Sequence, residues 1–121
     1  MRRPVALLLI LFSYQLTLKA QNKELDSLWS VWTNVSLPDS TRINAMNELA
    51  WDGYLYNKPD SAFICAELAM TLAKKEGYKK KMASSLNTQG ASFWVRGNFA
   101  NALYYFNLSY EIYDEEGDLA N

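Results

Sequence analysis

Asp114, Glu115 and Glu116 form a run of three carboxylates. Two carboxyl groups held a few ångströms apart can divide acid and base roles between them. These three, however, stand just before Gly117 at the end of an apolar-periodic stretch, which reads more simply as a solvated helix terminus. Acids there oppose the helix dipole, which predicts an end that frays or continues into a further partner. The chain has no histidine. A His-based triad, an HExxH zinc site and a histidine general base are therefore excluded. The five glycines stand singly, so no phosphate-cradling loop is present. The expectation is a non-enzymatic chain with no catalytic residue, no metal and no cofactor.

Asn47 and Asn87 offer different chemistry, because a side-chain amide both donates and accepts hydrogen bonds. They lie forty residues apart, and other pairs share that shift: Ala62 with Ala102, Leu68 with Leu108, Glu76-Gly77 with Glu116-Gly117. A period in this range marks a stack of helical hairpins. Such arrays generally bind and seldom catalyse.

The elements that must position these residues follow from punctuation and periodicity. Arg2 and Arg3 precede the apolar run Val5 to Phe12, and Ala20 is a small residue before a cut; residues 1–20 read as a signal peptide, with an uncleaved anchor as the alternative. Loss of Arg2, Arg3 and Lys19 from the 12 basic residues leaves nine against 13 acidic ones, a balance of about −4 that argues against a nucleic-acid partner. The single Cys65 can form no internal disulfide, so helix packing must supply stability. Leu25, Leu28, Trp29 and Trp32 share one helical face in a leading segment, residues 21–38. Ser36 and Asp39 resemble a capping box for the next helix. Ile43, Met46, Leu49 and Ala50 continue as a stripe as far as Lys58-Pro59-Asp60, where Pro59 suits a first helical turn. Ala62, Ala66, Ala69 and Ala73 give the following helix a narrow edge, and Gly77 suits its C-cap. A second hairpin repeats the design from Tyr78 to Gly117, turning at Gly97-Asn98. No segment alternates at period two.

Laid from Ala83 to Glu116, the second unit has Leu86, Gly90, Phe93, Ala102, Phe106 and Ser109 at its packing positions. The first, from Ile43 to Glu76, has Met46, Ala50, Gly53, Ala62, Ala66 and Ala69. This pattern resembles the tetratricopeptide repeat (TPR) family. The six extra residues Gly77 to Met82 are expected to lengthen the next helix at its start. The resemblance implies an all-α right-handed solenoid of about five helices after the signal, divided as a leading helix, repeats at 39–77 and 78–117, and the start of a third at 118–121. It also implies a concave face. Carried over residue by residue, that face comprises Asn44, Asn47, Trp51 and Tyr54, then Ser84, Asn87, Ala91 and Trp94. The basic carboxylate clamp of chaperone adaptors is not implied, since its lysine position holds Asn47 and Asn87.

The layout is similar to the exported N-terminal region of bacterial membrane sensors. The expectation is therefore a protein- or peptide-binding module on the extracytoplasmic face of the inner membrane, cut from a longer signalling protein. A purely structural spacer, and a fragment of a kinase or cyclase, remain open. In the first alternative the asparagines pair within or between helices and the aromatics pack. Leu103, Phe106, Tyr110 and Tyr113 would remain uncovered on the last helix, a possible self-association surface. Membrane contact would come only from an uncleaved signal or a further segment.

Overall fold

The computed structural model describes residues 3–117, which are all-α: among them there is no strand. Five helices follow one another: α1 (Arg3–Thr33), α2 (Asp39–Glu48, prolonged by a π-helical turn Leu49–Tyr54), α3 (Pro59–Glu76), α4 (Lys79–Val95) and α5 (Phe99–Glu115). Each packs on the next in chain order, and α2 also meets α4. The result is two stacked hairpins, α2–α3 and α4–α5, with α1 against the first. The four residues 118–121, read above as the start of a third unit, lie outside the described residues.

The apolar leader and the leading helix are one element. Val5 to Leu18 is solvent-exposed on every side, while Leu25, Leu28, Trp29 and Trp32 farther along α1 pack on the core. No helix breaker lies between Val5 and Thr33, so the winding runs straight through Ala20 and Gln21. By length and composition Pro4–Thr33 could cross a membrane, a property shared by signal sequences. The helix ends where the Asn34 carboxamide oxygen accepts from the backbone N–H of Ser36, at 3.1 Å, and from its hydroxyl, at 2.6 Å.

The expected capping box does not form. Pro38 takes the N-cap place of α2 without a side-chain cap, because Asn34 has engaged Ser36. Asp39 pairs instead with Arg42 at 2.9 Å. Arg42 then ties two helices: its Nε donates to the Trp32 carbonyl at 2.8 Å and its guanidinium lies 5.2 Å from the Trp32 ring.

The alanine edge does what its spacing predicts. Ala66, Ala69 and Ala73 of α3 are fully buried against Ile43, Met46, Leu49 and Ala50 of α2, since small side chains let two helix axes approach. In the second hairpin Gly90 goes further. A Cβ there would sit 2.6 Å from the Phe106 ring and 3.1 Å from the Ala102 carbonyl oxygen. The two hairpins enter their second helices alike: Ala62 N–H donates to the Lys58 carbonyl and Ala102 N–H to the Asn98 carbonyl, both at 3.0 Å. Ala62 and Ala102 are both fully buried.

Between the hairpins, Phe63, Phe93 and Tyr105 form an aromatic triangle with centroid separations of 5.4 to 5.6 Å. Arg96 lies over Phe93 at 4.4 Å and pairs with Asp60 at 2.6 Å, tying the end of α4 to the start of α3.

Candidate binding groove

Asn44 and Asn47 stand on the side of α2 that meets α4. The Lys81 ammonium donates to the Asn44 carboxamide oxygen at 2.6 Å. The Ser85 hydroxyl lies 2.8 Å from the Asn47 carboxamide oxygen and 3.0 Å from the Lys81 carbonyl, so its one proton has two acceptors. Both asparagine oxygens thus face the neighbouring hairpin. Asn87, the counterpart of Asn47, is half-buried, as is Ser84. The Asn87 amide has no hydrogen-bond partner among the described residues.

Trp51 and Trp94 come together. With Leu55, Tyr56, Ala91, Val95 and Phe106 they line an open, mostly apolar cavity of about 410 Å³ where the two hairpins meet. Trp51 is 40 % exposed and Trp94 59 %, so both rings present unburied area. Phe99 stacks edge-on against Trp94 at 4.7 Å and fixes its far side. A cavity of this volume can take one bulky apolar side chain.

Tyr54 does not join them. Its hydroxyl accepts a hydrogen bond from Trp29 Nε1 of α1 at 3.0 Å, and its ring packs both on the α1-side core and on the Leu55–Ala62–Ala91 cluster. The cause lies in the backbone. Residues three apart share a face in an α-helix, but Leu49–Tyr54 winds as a π-helix. The wider i→i+5 turn rotates the chain less per residue, so Trp51 and Tyr54 separate onto different faces. In α4, which is α-helical through Val95, the equivalent Trp94 does reach the cavity. Just past the π turn, Leu55 reaches it together with Tyr56.

Tyr56, Val95 and Phe106 are therefore cavity residues that the repeat register alone does not indicate. Phe106 had a visible signal: the large residue on α5 that faces Gly90. Tyr56 had none, because it follows the π turn.

Other chemistry-bearing groups are occupied structurally. Lys79, Lys80 and Lys81 share an open cavity of about 420 Å³ with Gly77, Tyr78 and Glu116. The acidic end of α5 thus lies beside the basic start of α4. Each run opposes its own helix dipole, and the antiparallel neighbour offsets both. Cys65 is buried, and burial pushes its thiol pKa up, which keeps it unreactive at neutral pH. Gln89 is buried with its carboxamide oxygen unpaired. Among the described residues no group of three or more His, Cys, Asp or Glu side chains is arranged to hold a metal.

Compared with family models, curated proteins and solved structures, the chain finds no match.

Proposed function

We propose that the chain is a non-enzymatic module that binds a segment of another polypeptide, with the Trp51–Trp94 cavity as its anchor point. The observation that carries this reading is the convergence of two half-exposed tryptophans from successive hairpins on one apolar opening. Buried aromatic anchors commonly dominate peptide and protein interfaces. The TPR resemblance points the same way, since the first helices of such repeats line a concave face. Asn87 supports it too: a half-buried amide beside this face can pair with an extended peptide backbone. The N-terminal apolar helix fits export. Together with the resemblance to sensor ectodomains, it supports a place on the outer face of the inner membrane as part of a longer signalling protein.

A spacer role is the competing reading, and the Asn44–Lys81 and Asn47–Ser85 contacts favour it. An array of short peptides, each with one central apolar or aromatic residue, separates the two. Trp94→Ala is expected to weaken the best peptide by about 2 kcal/mol, roughly thirtyfold, while circular dichroism stays unchanged. Binding equal to the parent chain, or no peptide bound at all, would leave the spacer.

A further inference from the structure

We infer that Trp29 and Tyr54 are positioning residues for the aromatic cavity: α1 holds Leu49–Tyr54 in π winding, and that winding sets where Trp51 stands relative to Trp94. The functional meaning rests on the binding reading above; the geometry does not.

Three observations carry it. First, among the described residues π winding occurs only in the hairpin that α1 touches. The corresponding stretch of α4, in the same forty-residue register, is α-helical. Second, α1 packs chiefly on α2 but also reaches the π turn, which α3 covers as well. Trp29 Nε1 donates to the Tyr54 hydroxyl at 3.0 Å, and Leu25 lies so close to Gly53 that a Cβ there would be 2.6 Å from the Leu25 Cδ2. Only glycine leaves room for that approach without displacing Leu25. Third, Trp51 sits inside the same turn and lines the cavity, whereas Tyr54, three residues on, turns its hydroxyl to Trp29 and does not line the cavity, although its ring touches the Leu55–Ala62–Ala91 cluster next to it.

A π turn is a rare winding that tertiary contacts must select. Release of α1 removes those contacts and lets residues 49–54 return to the α form, as in α4. Tyr54 then swings toward the cavity mouth and Trp51 shifts from its place beside Trp94. Coupling of this kind is reciprocal. Displacement of α1 weakens the cavity, and an occupant that requires Trp51 in its present place fastens α1 to the hairpin. Because α1 also carries the exposed apolar stretch Val5–Leu18, the state of the N-terminal helix is read out at the binding face.

The test needs no ligand. The full chain, labelled with 5-fluorotryptophan in detergent micelles, gives one fluorine resonance for each of Trp29, Trp32, Trp51 and Trp94, assigned by single Trp→Phe changes. Tyr54→Phe keeps the ring and deletes the hydroxyl that accepts from Trp29; Leu25→Ala deletes the contact with Gly53. Each is expected to move the Trp51 resonance and to speed amide exchange at residues 49–58 about tenfold, the equivalent of one net hydrogen bond. Trp32, which packs on α1's other contacts, should stay in place. An unmoved Trp51 in both variants would overturn the inference, as would a Trp32 shift as large as that of Trp51, which signals general loosening. A cavity that binds peptide equally well with and without Tyr54→Phe would sustain the binding reading and overturn this one.

Discussion

Trp94 and Tyr54 hold the same place in the forty-residue register, yet one lines the cavity and the other bonds to α1. Position in a repeat therefore fixes which helix a side chain belongs to, but backbone winding fixes where it points. The small residues were legible because their role depends only on spacing: Ala62, Ala66, Ala69, Ala73, Gly90 and Ala102 are all buried. Tyr54 was not, since nothing in an apolar stripe distinguishes a π turn from an α turn. Two substitutions test this scale. Gly90→Ala forces a methyl group against the Phe106 ring and the Ala102 carbonyl; denaturant unfolding should show a loss of about 1–3 kcal/mol from overpacking. Gln89→Met removes a buried carboxamide oxygen that has no partner, at similar volume. Its stability should be unchanged or higher, by up to about 2 kcal/mol.

Helix boundaries were the most readable elements, and the physical reason is local. Gly77, Gly97 and Gly117 all take left-handed backbone, with φ of 76°, 80° and 78°, and each ends a helix. At Gly77 the N–H of Tyr78 returns to the Ala73 carbonyl at 2.9 Å, and after Gly97 the N–H of Asn98 returns to Phe93, also at 2.9 Å; both are Schellman closures. A Cβ at Gly77 meets nothing within 4 Å. Gly77→Ala should therefore cost only the backbone term, about 1–2 kcal/mol in chemical unfolding. The start of α2 was less readable, because Asn34 competes for Ser36 and leaves Asp39 to Arg42. The continuity of α1 was not readable at all. An apolar run after two arginines looks like an address, and only the missing helix breaker hints that it winds on into Leu25 and Trp29. Cys65 reports on the α2–α3 element. Its thiol pKa is raised by burial, so stability from this group holds below the ordinary thiol value and falls as pH rises past it. Alkylation at neutral pH should be slow in the folded chain and should rise to the free-thiol rate in denaturant.

At the scale of the molecule, the two hairpins are joined on several sides. Asp60 meets Arg96, Asn47 meets Ser85, and the aromatic triangle closes over the junction. Within the second hairpin the buried Ser109 hydroxyl donates to the Ala83 carbonyl at 2.7 Å. The forty-residue period foretold two such units, because each hairpin leaves apolar surface that the other must cover. Of the residues lining the cavity at their junction, Trp51, Ala91 and Trp94 are among those the TPR resemblance implies, while Tyr56 comes from a turn, Val95 from the end of α4 and Phe106 from α5. Peptide capture at that junction is the central claim. It is tested most directly by calorimetric titration of the best array peptide into the parent chain, Trp51→Ala, Trp94→Ala and the double variant. If both rings grip one side chain, the losses should be strongly non-additive, with the double variant little worse than either single one. Four titrations that superimpose would contradict the account.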